Sequence, residues 1–314
     1  MIATVTLNPS LDKTIYVDEL VLDDTNRALK FRYDPGGKGL NVSRVLWELG
    51  QHSVLFGFLA GNTGKRVEKY LIDEGLTVDF NWTSGETREN LIISSGTELQ
   101  QMKISLPGPS IREDELHRLK RKIAGRSREF EVIAFSGSVP PGIDKGIYKE
   151  LAEEANQRGD RVVLDADGET LKKGLEAKVW MIKPNLHELQ RLMGRELPTE
   201  EAIHGALDEM LDSGKVELII LSRGGGSVIA ATKKERFEAT PPEITVRSTV
   251  GAGDSLIGGF IYQWFQTGSL DQSLRYGIAS GTACAASLGT ELAHLSDINR
   301  FLPMVQIKEL ASKR

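Results

Sequence analysis

Apolar residues follow two rhythms along this chain. Short β-branched runs predict buried strands at Ile2–Leu7, Val54–Leu59, Val132–Phe135, Val162–Leu164, Met181–Ile182 and Leu218–Leu221. Between them the apolar positions recur at helical spacing. Val42, Val45, Leu46 and Leu49 predict a helix opened by Pro35-Gly36-Gly37-Lys38-Gly39 and closed by Gly50, and Gly61-Asn62-Thr63-Gly64 opens another that reaches about Glu74. Glu113–Ile123 and Ile147–Arg158 add two more. Leu256, Ile257, Phe260, Ile261, Trp264 and Phe265 give a helix beginning near Asp254. The stretch from Leu274 to Leu288 gives a last one, crowded with Gly277, Ala279, Gly281, Ala283 and Ala285, a face able to pack closely on another helix or to admit a flat ring.

Two segments break this βα rhythm. From about 13 to 34, and from about Val78 to Leu106 with a turn at Ser95-Gly96-Thr97, apolar and charged residues alternate loosely. That pattern predicts exposed antiparallel strands. The reading is a discontinuous β lid of 12–34 and 84–106 on an α/β domain of 1–11, 35–83 and 107–314. The predicted strands of the large domain deliver polar residues at their carboxyl ends: Asp12, Ser136-Gly137-Ser138, Asp165, Lys183-Pro184-Asn185 and Ser222. In an open, mostly parallel sheet ligands gather at those ends.

Composition narrows the function. A chain of 314 residues, 40% hydrophobic and 26% charged, has the profile of a globular protein with a large core. Its net charge of −5 offers no broad basic face for a nucleic acid. Cys284 is the one cysteine, which excludes an intrachain disulfide or a thiolate metal cluster. Met1–Pro9 lacks the pattern of a signal peptide, and no apolar run approaches membrane-spanning length. A cytoplasmic protein with no membrane or nucleic-acid partner is expected.

The densest chemistry lies in Ser248-Thr249-Val250-Gly251-Ala252-Gly253-Asp254-Ser255. Amides at a helix start suit an anion, and glycines let it come close. Asp254 there reads either as an N-cap or as a general base that takes a proton from an attacking hydroxyl. Lys38 among glycines is a second anion site or a plain tight turn with a solvated lysine. Asn185 and Glu188, three apart after Pro184, could hold hydrated Mg²⁺ or merely cap a helix. Neither a Walker loop nor a dinucleotide fingerprint is present. The five histidines form no metal pattern.

Taken together, Gly36-Gly37-Lys38-Gly39-Leu40-Asn41, Asn185-x-x-Glu188, Ser222-x-Gly224 and Ser248-Thr-Val-Gly-Ala-Gly-Asp254 resemble the PfkB branch of the ribokinase-like sugar kinases, in order and over essentially the whole chain. Thr6-Leu-Asn-Pro-Ser-Leu-Asp12, Thr87-Arg88-x-Asn90 and Ser136-Gly-Ser138-x-Pro-Pro-Gly look like the kinases of phosphorylated ketohexoses. The resemblance implies a three-layer α/β/α sandwich with a small β-sheet lid. It implies an ATP- and Mg²⁺-dependent kinase, with fructose 1-phosphate the first acceptor and a 6-phosphofructokinase or tagatose-6-phosphate kinase as alternatives. A non-catalytic sugar-phosphate or nucleotide sensor on the same fold is the alternative of another class.

Roles follow by the same resemblance. Asp254 is the base and the amides of Gly251, Ala252 and Gly253 the anion hole. Asp12, Gly37, Lys38, Asn41, Arg88 and Ser138 hold the sugar phosphate, with Arg27 and Asp165 as further candidates. Lys183, Asn185, Ser222, Gly224 and Ser280 serve ATP, and Asn185 with Glu188 serves Mg²⁺. A K⁺ site is implied near Ser248, Val250 and Cys284. Ser227 stands where related kinases usually place the second glycine of the nucleotide loop. Exposed lid strands have open edges, so a homodimer paired through the lid is expected.

Overall fold

The computed structural model describes residues 1–96, 100–126, 130–287 and 291–310. Strand β1 (Ile2–Thr6) lies within the main sheet and feeds β2 (Ser10–Val17), which pairs outside it with β3 (Lys30–Gly36). Helix α1 (Lys38–Glu48), β4 (Ser53–Ala60), α2 (Gly61–Asp73), β5 (Thr77–Val78) and β6 (Asn81–Thr83) return to the main body. β7 (Arg88–Ser95) and β8 (Gln100–Ile104) leave it again. The chain then alternates through α3 (Glu113–Arg126), β9 (Val132–Ser136), α4 (Ile147–Arg158), β10 (Arg161–Asp165), α5 (Gly168–Gly174), β11 (Val179–Ile182), α6 (Leu186–Met193), α7 (Glu200–Asp212) and β12 (Val216–Ser222). It closes with β13 (Val228–Ala231), β14 (Arg236–Thr240), α8 (Ala252–Thr267), α9 (Leu270–Ala286), α10 (Leu295–Phe301) and β15 (Gln306–Glu309).

The main sheet runs in the order β15-β14-β13-β12-β11-β10-β9-β1-β4-β5, with β6 added on β4. From β5 to β12 neighbours pair parallel, and β13 to β15 form an antiparallel edge. Because both faces are covered, the central strands are apolar at nearly every position: β4 is buried from Ser53 to Ala60. On one face Tyr148, Leu151, Leu189, Leu207 and their neighbours pack α3 to α7 against the sheet. On the other, Val42, Val45, Leu46, Ile257, Phe260 and Leu274 pack α1, α8 and α9. The result is the ribokinase-like three-layer α/β/α architecture.

A separate sheet of order β3-β2-β7-β8 forms the lid. Its hairpins are antiparallel, as the alternation predicts, but its central pair β2–β7 is parallel, which corrects the expectation of antiparallel strands throughout. Both strands run outward from the main sheet, one after β1 and one after β6; alternation records which face a residue takes, not strand direction. Thr77–Val78 and Asn81–Thr83 pair with β4, so the beginning of the second alternating segment belongs to the main body. The register places Phe31, Ile15, Ile93 and Met102 in one row across the lid, with Tyr33, Lys13, Leu91 and Ile104 in the next row on the same face. Asp12, Asn90 and Lys103 fall on the opposite face. Two boundaries also shift. The last small-residue helix spans Leu270–Ala286, with Leu288 outside the described residues, and the turn reading at Thr97 also falls outside them.

Candidate active site

The carboxyl ends of the parallel strands, the starts of α1, α6 and α8 and one face of the lid enclose a cavity of about 660 Å³. Asp12, Gly37, Lys38, Asn41, Arg88, Ser138, Lys183, Asn185, Glu188, Ser222, Gly251, Gly253 and Asp254 all line it. Five other candidates do not. Ala252 contributes only its amide at the start of α8. Asp165 lies beneath the wall, its side chain 1% exposed. Arg27 sits exposed between β2 and β3, beyond the lid sheet. Gly224 occupies the left-handed turn (φ 67°) after β12, outside the cavity wall. Ser280 is fully buried in α9, its Oγ donating to the Tyr276 carbonyl at 2.9 Å beneath Gly259. It is a packing residue because α8 and α9 meet there.

Helix α8 begins two residues earlier than the apolar spacing predicts, at Ala252, with Gly251 as its N-cap at φ 83°. Only glycine reaches that conformation without strain, and a Cβ there would lie 2.7 Å from Leu292 Cδ2. Asp254 is therefore in the first turn rather than at the cap, which removes the capping reading. The amides of Ala252, Gly253 and Asp254 have no intrahelical acceptor at a helix start, where the dipole favours an anion. A Cβ on Gly253 would stand 3.0 Å from Lys183 Nζ, so the glycine lets the lysine lie against the turn.

Asp254 is 8% exposed, and its Oδ2 accepts a 2.7 Å hydrogen bond from Asn41 Nδ2. Burial raises its pKa, and the charge of Asp165 raises it further; Lys38, Asn41 and Lys183 offset this only in part. A carboxylate with raised proton affinity, pointed into a cavity, is suited to take a proton. Below it, Asp165 Oδ1 lies 3.0 Å from Lys38 Nζ and 4.0 Å from Lys183 Nζ. Burial works against the Asp165 charge, but Lys183 and Lys38 outweigh it and hold the pKa below the ordinary range. Burial likewise opposes the Lys38 charge, yet Asp165 and Asp254 keep its pKa well above that of a free lysine.

The lid side is organised around Asp12. Its Oδ1 accepts from Ser10 Oγ at 2.6 Å and Asn90 Nδ2 at 2.7 Å, and Lys103 Nζ lies 3.7 Å from Oδ2. Arg88 is braced by the carbonyls of Asn8 (2.9 Å) and Leu106 (3.2 Å), with its guanidinium at the cavity. Asn8 Nδ2 donates to Ser138 Oγ at 3.3 Å. Asn8, Ser10, Asn90, Lys103, Lys145, Asp167 and Thr249 also line the cavity and were assigned no role from the sequence. Asn8, Ser10, Asn90 and Thr249 stand inside motifs quoted above. Lys103, between Met102 and Ile104, is recognisable only by its strand parity.

Asn185 and Glu188 form a complete capping box on α6: the Glu188 amide donates to Asn185 Oδ1 and the Asn185 amide to Glu188 Oε2, both at 2.9 Å. Among the described residues no group of three or more His, Cys, Asp or Glu side chains converges as a metal cage. The donor set fits Mg²⁺ nonetheless, since that ion keeps most of its water and is held by one or two carboxylates with substrate phosphates. Glu188 lines the cavity with its second oxygen outside the box. Cys284 Sγ faces the carbonyls of Val250 (3.4 Å) and Glu291 (3.5 Å), and burial pushes its thiol up to about 11. No helix among the described residues is long and apolar enough to cross a membrane.

Comparison with known proteins finds relatives over nearly the whole chain. A profile described as "pfkB family carbohydrate kinase" matches residues 5–296. The 1-phosphofructokinase of Borreliella burgdorferi is 33% identical over 311 residues, 99% of this chain and 99% of that protein. The ATP-dependent 6-phosphofructokinase isozyme 2 of Escherichia coli is 30% identical over 300 residues, 95% of this chain and 97% of that protein. Among solved structures, phosphofructokinase-2 from Escherichia coli in complex with potassium aligns with a TM-score of 0.91 at 30% identity, covering 96% of this chain and 98% of the other.

Proposed function

The chain belongs to the pfkB family of carbohydrate kinases, and from that premise we propose that it transfers the γ-phosphoryl group of ATP to a ketohexose monophosphate, fructose 1-phosphate first, giving a bisphosphate. One observation carries the reading. Beside the apparatus for phosphoryl transfer, the same cavity has a second cationic end, Arg88 and Lys103 on the lid, for which an unphosphorylated sugar would have no use. A dianionic group needs charge-assisted donors of this kind. Gly-Gly-Lys38-Gly favours fructose 1-phosphate or tagatose 6-phosphate over fructose 6-phosphate, because that lysine looks like a feature of their kinases.

In this reading Asp12, Gly37 and Asn41 orient the sugar, while Arg88, Ser138 and Lys103 take the phosphate it already carries. Asp254 accepts the proton of the attacking hydroxyl as its oxygen bonds to the γ-phosphorus and ADP leaves. The amides at Gly251, Ala252 and Gly253 hold the transferring group in line, and Lys183 adds positive charge beside them. Glu188 and Asn185 would hold Mg²⁺ through its water shell; bound there, the ion neutralises charge on the ATP phosphates. K⁺ near Ser248, Val250 and Cys284 is a further candidate, supported by the complex of the Escherichia coli phosphofructokinase-2 with potassium. The lid excludes water from the cavity and limits hydrolysis.

The exposed lid residues Phe31 (62%), Met102 (44%) and Ile104 (42%), on its outer face, support a homodimer paired through that sheet. Initial rates with fructose 1-phosphate, fructose 6-phosphate, tagatose 6-phosphate and free fructose, each with Mg-ATP, test the function. Faster turnover of free fructose than of all three phosphates would reject it.

A further inference from the structure

Positive charge in the cavity is divided between two ends. Arg88 and Lys103 gather on the lid by Asp12; Lys38 and Lys183 gather on the main body, both addressing Oδ1 of Asp165. One buried carboxylate thus faces two ammonium groups, and its other oxygen, Oδ2, is buried with no hydrogen-bond partner. A surplus positive charge remains beside Asp254. Lys183 lies against Gly253 of the anion hole, with a side chain 10% exposed, while that of Lys38 is 36% exposed and lines the cavity. Lys38 leaves from the first residue of α1, three positions before Asn41, whose amide holds the base. Its surroundings are those of the reacting atoms, whereas the lid supplies its own cations for the opposite end.

Resting on the kinase reading above, we propose that Lys38 is a catalytic cation for the transferring phosphoryl group, tethered by Asp165, rather than a clamp on the phosphate the acceptor already carries. The acceptor oxygen forms a bond to the γ-phosphorus, the bond from that phosphorus to the β,γ-bridging oxygen breaks, the electron pair leaves with ADP, and the hydroxyl proton passes to Asp254. In this step charge is spread over the three equatorial oxygens and develops on the departing bridging oxygen, and a compact ammonium beside them stabilises that distribution more than it stabilises bound ATP. Asp165 touches no substrate and is a positioning residue. It keeps Lys38 charged, and a single shared oxygen holds both lysines at one site.

The test compares wild type with Lys38→Met and Lys103→Gln in two assays with Mg-ATP: turnover of the ketohexose phosphate, and ATP hydrolysis without sugar. Lys38→Met should lower kcat by about 10² while acceptor KM stays within about threefold, and should lower sugar-free hydrolysis in parallel. Lys103→Gln should instead raise acceptor KM about tenfold or more. A Lys38→Met enzyme with raised acceptor KM but preserved kcat and hydrolysis overturns the proposal. Because hydrolysis uses water as acceptor, it judges Lys38 even where no ketohexose phosphate is turned over, a result that rejects only the substrate reading. If Lys38→Met melts low, the double variant Lys38→Met/Asp165→Asn removes the carboxylate left underpaired and should show the same two losses. Asp165→Asn alone should lower kcat and sugar-free hydrolysis together while acceptor KM stays within about threefold; unchanged kcat and hydrolysis count against the tether.

Discussion

Asn41 Nδ2 donates a 2.7 Å hydrogen bond to Oδ2 of Asp254, joining the start of α1 to the start of α8 across 213 residues of sequence. The bond favours the ionised carboxylate and fixes where its oxygens point. In the proposed mechanism this makes Asn41 a positioning residue for Asp254 in addition to the sugar contact proposed for it.

Asn41→Ala should therefore lower kcat and not only raise KM. A hydrogen bond to a charged group contributes about 1.5–3 kcal/mol, which corresponds to a tenfold to hundredfold loss if it acts mainly in the transition state. The Asn41 bond lowers the Asp254 pKa, so its removal should move the acidic limb of the kcat–pH profile to higher pH. A change confined to acceptor KM, with the limb unmoved, would reduce Asn41 to a substrate contact.

Packing of α8 on α9 gives a stability test. A Cβ on Gly259 would lie 2.2 Å from Ser280 Oγ and 3.1 Å from the Tyr276 carbonyl, within the buried helix pair that carries Asp254. Alanine in place of a helical glycine gains about 1 kcal/mol of propensity, but overpacking a close contact costs about 1–3 kcal/mol. Gly259→Ala should lower the thermal midpoint by a few degrees, and adding Ser280→Gly should recover part of it. An unchanged midpoint in the single variant would show that the helices separate at little cost.

Much of this was legible from pattern. Continuous apolar runs ending in polar residues gave the parallel strands and the end of the sheet where the cavity lies, and loose alternation gave the lid. What stayed hidden depends on partners distant in sequence. Alternation encodes face and not direction, so the parallel β2–β7 pair could not be read. Asp254 resembles a cap until the start of α8 is known within a residue or two. Lys103 reads as one solvated lysine until register sets it on the face shared with Asp12 and Asn90. Ser280 sits under Gly259 because α9 packs on α8, a tertiary contact that no local pattern shows.

The outer lid face predicts assembly. Phe31, Ile15, Ile93 and Met102 form one apolar row across four strands, and a second copy of the sheet would cover it. Phe31→Glu places charge in that row on a residue already 62% exposed, so the monomer's own fold should tolerate it. Sedimentation at micromolar concentration should show a dimer for wild type and a shift to monomer for the variant. Equal sedimentation of the two would move the interface elsewhere.

Asp254→Asn separates chemistry from stability most directly. The side chain keeps its size and can still accept from Asn41, but it cannot take the hydroxyl proton, so kcat should fall by about 10² to 10⁴. Residual turnover is expected because the α8 amides and the lysines remain. Stability should move the other way. The folded pKa of Asp254 is raised above its unfolded value by burial and by Asp165, so the native state favours the protonated form. The contribution of the group is fully present below the unfolded pKa and is lost as pH rises through the folded one. At neutral pH the ionised wild-type side chain therefore weakens the fold relative to a neutral asparagine. The thermal midpoint of Asp254→Asn should equal or exceed that of wild type at pH 7–8, and the difference should shrink as the buffer is made acidic. A variant that turns over within about threefold of wild type removes Asp254 as the base; one that melts well below wild type at neutral pH shows instead that the charge stabilises the site through Lys38 and Lys183.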